Sequence, residues 1–220
     1  MTETAGASDA LREAADTMRA VRDRCVWTQQ IDHRALVPYL VEESAELIDA
    51  VEEGSRAELR EELGDLLWQV LFHAEIASRD LEDPFDIDDV ARGLTDKMVR
   101  RHPHVFGDAV ATTPEEVLIH WNAAKAAEKS ERTSVLDGVS ERMPSLALAQ
   151  KLVGRAAQAA VALPVADSGE VQTEDELGDA LLALVAGARA RGWDAERALR
   201  ERLRRLTAEV RQAESAPVQD

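Results

Sequence analysis

Apolar residues recur every three to four positions along nearly the whole chain, and no stretch alternates with the period of two that a half-buried strand requires. The pattern predicts an all-α protein built as a helical bundle. A first helix is expected from about Ser8 to Arg24, followed by an irregular stretch from Cys25 to Ala35. A second runs from about Leu36 to Glu53 and stops at Gly54. Ser55 then stands where an N-cap belongs, and Glu58 completes a capping box for a long helix to about Ser78. Further starts are expected at Asp86, at Thr113-Pro114-Glu115-Glu116, near Pro144, at Thr173 with Glu176, and at Asp194. Arg101 to Thr113 is expected as a loop, and Pro, Asp, Ser and Gly break the helical pattern between Ala162 and Gln172. The expected organisation is a first domain over 8–135, a second helical region over 136–213, and a frayed tail over 214–220.

Within the second and third helices, Leu36, Leu40, Leu47 and Val51 mark one apolar stripe, and Leu59, Leu63, Leu66 and Val70 mark another. At the edges of these stripes stand two acidic pairs, Glu43 with Glu46 and Glu62 with Asp65. Residues three apart share a helix face, so each pair projects together. The break at Gly54-Ser55 lets the two helices fold back and oppose the pairs. Four oxygen ligands of this kind suit Mg²⁺ or Mn²⁺. A chain with 43 acidic residues among 220 contains many such pairs by chance, and a lone one is a solvated helix face. Two pairs framing one hairpin carry more weight. A di-iron or di-manganese bundle would use the same geometry with Glu-x-x-His motifs. None of the five histidines has a glutamate three positions before it.

The net charge of -17 disfavours nucleic acid and anionic lipid as partners. A small anionic substrate is compatible with it where metal ions and local basic residues offset the field. At 220 residues, 45% of them hydrophobic and 4% aromatic, the chain can bury a core without staples and favours helix over sheet. Cys25 is the only cysteine, which excludes an intramolecular disulfide and fits a reducing compartment. The first residues lack a signal-like apolar core, and no run approaches the roughly 20 apolar residues of a membrane span. A soluble, cytoplasmic protein is expected.

The wording around the acidic pairs resembles the MazG family of nucleoside triphosphate pyrophosphohydrolases, within the all-α NTP pyrophosphatase superfamily. EExxE is present at Glu42-Glu43-Ser44-Ala45-Glu46, and ExxD at Glu62-Leu63-Gly64-Asp65. The longer family wording is similar at Cys25-Val26-Trp27 with Gln30 and His33, at Val37 to Glu43, and at Arg60 to Leu67. It continues at Arg100 to Asp108, Trp121 to Lys129, and Ser134 to Val139. Around Trp27 the chain departs from it, with Val26, Thr28 and Ile31 in place of the usual Pro, Asp and Thr.

The resemblance implies Mg²⁺-dependent hydrolysis of an NTP to the NMP and pyrophosphate, with Glu43, Glu46, Glu62 and Asp65 as metal ligands. Glu42 is a candidate for orienting the attacking water, and equally a solvated helix residue. Lys97, Arg100 and Arg101 occupy the family's KxxRR position and would grip phosphate oxygens; the competing role is favourable charge at a helix C-terminus. Lys125 and Lys129 are similar candidates. Trp27 and Trp121 offer faces for stacking a nucleobase, which favours a tolerant pocket. Gln30 and His33 lie in the same matched wording and are candidate substrate contacts. Trp68 and His73, inside an apolar helix, are expected in the core, whereas His102 and His104 either contact substrate or shape their loop. Family members assemble as dimers or higher oligomers, so a homo-oligomer is expected.

Thr173 to Leu182 echoes Glu61 to Leu67 but lacks a preceding EExxE helix. It is expected to be a degenerate second copy, catalytically inactive, with Glu176 and Asp179 as the remnant. The leading functional expectation is broad nucleotide-pool cleaning. A narrower dUTP or dCTP pyrophosphatase and a helical nucleotide sensor without turnover are the alternatives.

Overall fold

A computed structural model describes residues 9–128, 134–159, 161 and 171–215, with side chains followed to residue 212. Ser8, Lys129, most of the expected break after Ala162 and most of the expected tail lie outside the described residues. The chain divides into two compact units, Met1–Glu128 and Lys129–Asp220. Among the described residues there is no strand.

The first unit holds α1 (Ala10–Arg24), α2 (Val37–Glu52), α3 (Arg56–Ala77), α4 (Ile87–Arg101), the one-turn α5 (Pro103–Phe106) and α6 (Pro114–Ala127). Local chemistry sets most of the starts. Asp9 caps α1 by accepting from the backbone N–H of Leu11 and Arg12. Ser55 with Glu58, Asp86 with Asp89, and Thr113 with Glu116 form reciprocal capping boxes on α3, α4 and α6. Two departures from the sequence expectation lie in loops. The stretch after Cys25 contains a single 3₁₀ turn, Thr28–Gln30, where the Thr28 hydroxyl donates to backbone carbonyls of the preceding helix end. The segment after Arg101 contains α5, because Pro103 at its first position presets the helical backbone angle.

The core of this unit gathers Ala15 and Met18 from α1, Leu36 at the head of α2, and Leu71 and Phe72 from α3. Trp68, Leu67, Ile76 and Ile87 pack around it, as the sequence position of Trp68 suggests. α2 packs on α3, and the turn between them is only Glu53 to Ser55, so the two helices run antiparallel. A Cβ on Gly54 would lie 2.6 Å from Ala50 Cα and 2.7 Å from its carbonyl oxygen, so this close turn admits only glycine.

The face of α2 turned to α3 follows Leu36, Leu40, Glu43, Leu47 and Ala50, all buried or half-buried. Val51, expected in that stripe, is 64% exposed, and Leu63 and Val70 of α3 are 53% and 42% exposed. The buried position at the end of α2 belongs to Ala50, one residue earlier. Beside its apolar core positions α3 carries a row of polar residues: half-buried Glu62, exposed Asp65, buried Gln69 and half-buried His73, at spacings of three, four and four.

The second unit holds α7 (Ser145–Gln158), α8 (Glu174–Ala190) and α9 (Ala195–Ser215). Val153 of α7 and Val185 of α8 are its buried apolar centre. The Gln150 amide donates to the Trp193 carbonyl at 2.9 Å and accepts from Ala195 N–H at 3.1 Å, tying α7 to the start of α9.

Candidate metal centre

The antiparallel hairpin brings three carboxylates together. Glu43 of α2 with Glu62 and Asp65 of α3 each place one oxygen within 4.8 Å of the other two. Glu43 and Glu62 are half-buried and Asp65 is exposed. Glu46, one turn after Glu43, is exposed and lies outside that trio, yet its charge acts on both Glu43 and Glu62. Glu42 is exposed on α2 beside them.

Such crowding has an electrostatic cost. Burial raises the Glu43 carboxyl above its ordinary range, and the charges of Asp65, Glu46 and Glu42 add to the shift; a hydrogen bond from Gln69 opposes it. Burial also raises Glu62, followed by the charges of Glu46, Asp65, Glu61 and Glu43. Glu62 Oε2 is buried without a hydrogen-bond partner. Partly desolvated like charges with an unsatisfied acceptor among them call for a cation. Hard carboxylate oxygens fit Mg²⁺ or Mn²⁺ rather than a softer metal.

Two residues of this face carry no motif signal. Gln69 is 5% exposed, and its Oε1 is buried without a hydrogen-bond partner. One turn further, His73 stacks on His33 with ring planes 6° apart and Nδ1 atoms separated by 2.8 Å. One of these nitrogens must donate and the other accept, so the pair is at most singly protonated there. Burial first, then His33, lowers the His73 pKa. The candidate contact His33 is thus engaged with the residue expected only in the core. The spacing of Gln69 and His73 from Glu62 is the one sequence signal that could have marked them.

Trp27 is 49% exposed at the entry to the 3₁₀ turn. Its ring meets Tyr39 edge-on at 6.0 Å and Phe72 at 6.5 Å. Tyr39 lies one turn before Glu43 on α2, so this aromatic group borders the carboxylates along the hairpin. Gln30 is exposed in the same turn.

The remaining candidates gather on α4 and α6. Arg101 is 9% exposed and donates to Glu128 Oε2 from Nε at 3.1 Å and from Nη2 at 2.6 Å. Its guanidinium also lies 5.0 Å from the Trp121 ring centre. Arg100 pairs with the other Glu128 oxygen at 3.3 Å, and the two arginines hold the Glu128 carboxyl below its ordinary range. His102 meets Trp121 edge-on at 5.2 Å, and His104 Nδ1 is buried without a partner. Lys97 and Lys125 are half-buried on the same two helices. Arg100 and Arg101 are therefore ion-paired to Glu128, the residue that follows α6, not to the hairpin carboxylates.

Residues 31–106 match the MazG nucleotide pyrophosphohydrolase domain. A Streptomyces cacaoi protein of 26.1 kDa is 50% identical over 86% of this chain and 76% of its own length. The nucleoside triphosphate pyrophosphohydrolase of Mycobacterium tuberculosis is 44% identical over 80% of this chain, which spans just over half (56%) of that protein. The Escherichia coli K12 protein of the same name is 33% identical over 94% of this chain and 86% of its own length. The chain belongs to the MazG family.

The matched MazG segment includes α2, α3 and α4, and with them all four acidic positions, His33, Lys97, Arg100 and Arg101. Trp27, Gln30, Trp121 and Lys125 stand outside it. Among the described residues no helix is long and apolar enough to cross a membrane.

Proposed function

We propose that the first unit hydrolyses nucleoside triphosphates to the monophosphate and pyrophosphate, with a divalent cation, Mg²⁺ or Mn²⁺, held by Glu43, Glu62 and Asp65. Glu46 joins them as the fourth ligand. The observation that carries this reading is the trio of oxygens within 4.8 Å, contributed by facing helices and including a carboxylate with a buried, unpartnered oxygen. A bound divalent cation neutralises triphosphate charge and polarises the α-phosphorus. Water adds to that phosphorus, the bond to the α–β bridging oxygen breaks, and pyrophosphate leaves. Glu42, exposed next to Glu43, is the additional carboxylate available to orient the water.

Trp27 provides the stacking face for the base, since it is half-exposed and supported edge-on by Tyr39 and Phe72. A stacking surface accepts many bases, which supports a broad role in clearing surplus or aberrant nucleotides. Lys97, Arg100, Arg101 and Lys125 form the phosphate-gripping group, with Arg101 held by Glu128 against the Trp121 ring. Gln30 and His33 complete the substrate contacts. The second unit is a degenerate copy without catalytic function.

A homo-oligomer is part of this reading. Val37, Val41, Ile48 and Val51 form a second, exposed apolar stripe on α2, flanked by exposed Leu63 and Val70 on α3. A second copy of the hairpin would bury such a face and close a four-helix bundle. A reducing cytoplasm suits the single cysteine.

Purified protein with Mg²⁺ and a panel of canonical, deoxy and oxidised NTPs should release pyrophosphate. Glu43→Ala and Asp65→Ala should each abolish the release. Turnover that survives both substitutions would sink the proposed site, and nucleotide binding without turnover in the parent protein would sink the hydrolase reading.

A further inference from the structure

We propose that Glu128 is an internal competitor for the triphosphate. In the nucleotide-free protein its carboxylate occupies Arg100 and Arg101 donors that grip phosphate, and substrate must displace it; this rests on the gripping role given to those arginines above. Glu128 follows the last turn of α6 and reaches the end of α4. Its two oxygens are divided between the arginines. Oε1 accepts from Arg100 Nε at 3.3 Å, and Oε2 accepts from Arg101 Nε at 3.1 Å and Nη2 at 2.6 Å. A phosphoryl group would make the same contact, since the arginine fork takes carboxylate and phosphate oxygens alike. The Arg101 side chain is 11% exposed, with its guanidinium 5.0 Å from the Trp121 ring centre. Its engaged donors stay closed to an incoming phosphate until Glu128 leaves.

Charge points the same way. Arg101 first, with Arg100 behind it, holds the Glu128 carboxyl below its ordinary range despite desolvation. At neutral pH it is therefore a negative charge where a triphosphate must bring several. A tie between α4 and α6 needs one arginine; here both converge on one acid. Occupied donors weaken any phosphate ligand according to the fraction of molecules in which Glu128 is released. Exchange of one anion for the other leaves neither arginine unpaired, the costly state for a buried charge. The same competitor helps to expel pyrophosphate once the α–β bond is broken.

The test is calorimetric titration of the full chain with Mg²⁺ and the α,β-methylene analogue of ATP, whose carbon bridge cannot be split. Glu128→Gln keeps the size and removes the charge. Expected is binding tighter by about tenfold, with a matching fall in KM for NTP. A purely structural tie gives the opposite sign, because loosening α4 from α6 spoils the phosphate grip. Unchanged or weaker binding in Glu128→Gln overturns the proposal. Should that variant fail to fold, the parent protein decides through the Arg100 and Arg101 Nε–H resonances in heteronuclear NMR. Both must shift on saturation with the analogue, and an unmoved Arg101 signal overturns the proposal. Arg100→Ala and Arg101→Ala are titrated in parallel. Weaker binding there without a gain in Glu128→Gln defeats this inference alone, whereas full affinity in both arginine variants defeats the phosphate-gripping role itself.

Discussion

Glu61 to Leu67 in α3 and Asp175 to Leu182 in α8 share the spelling Glu-Leu-Gly-Asp, yet the two runs sit at different depths in their helices. Glu62 falls two turns beyond the Ser55 cap, on a face covered by α2. Glu176 is the third residue of α8, and its carboxylate accepts from the backbone N–H of Gln172 at 2.6 Å and of Thr173 at 3.3 Å. Asp179, the counterpart of Asp65, is exposed. In α3 the job of closing the helix start falls to Glu58, which frees Glu62 for the interface. The same four letters thus make an orphaned acid in one helix and a satisfied cap in the other. Position along the helix, and what faces it, decide the chemistry.

The strongest way to break this comparison is to remove each glutamate's charge. Glu62→Gln should lower pyrophosphate release by roughly a hundredfold or more, the scale on which losing one electrostatic clamp acts. Glu176→Gln should leave it within about twofold, since that carboxylate holds only backbone. Equal losses in the two variants would refute the division of labour.

The crowded carboxylates of the α2–α3 hairpin also make the stability of the first unit depend on pH. Glu43 and Glu62 have folded pKa values above their ordinary 4.5, so in cation-free protein the folded state holds more protons than the unfolded one. Their contribution to stability therefore falls as pH rises from near 4.5 through the raised folded values. Melting curves should show Mg²⁺ raising the melting temperature at neutral pH. Glu62→Gln should raise the cation-free melting temperature and erase the Mg²⁺ shift. A Mg²⁺ shift that persists in Glu62→Gln would place the cation elsewhere.

The smallest effect concerns α8. Thr173→Ala removes the side chain that accepts from Glu176 N–H at 3.2 Å and should cost about 1 kcal/mol by denaturant melting. Activity should be unchanged. A drop in turnover would connect the second unit to catalysis and dissolve the contrast.

How far these features could be read from the chain follows from how local their causes are. The starts at Ser55, Asp86, Thr113 and Thr173 were visible because a capping box is complete within four residues. Pairing of Glu43 with Glu62 and Asp65 was visible because a short turn leaves the two helices nowhere else to go. The exposure of Val51, Leu63 and Val70 was not, since an apolar residue on a helix has no marker for which of two faces a neighbour will cover. Nor was the engagement of Arg101 with Glu128, 27 residues away at the end of another helix. Gln69 and His73 were hidden by their apolar surroundings, and only the position of α2 gives their spacing a meaning.

The turn at Gly54 turns this site into a matter of counting. With Ala50 too close for any Cβ at Gly54, the chain reverses at one fixed point. Glu43 lies eleven residues before that point and Asp65 eleven after it. Substitutions elsewhere in the hairpin can be absorbed by repacking, but one residue inserted between the two would rotate an acid by about 100° around its helix. The address of the carboxylate cluster is written in chain length as much as in residue identity.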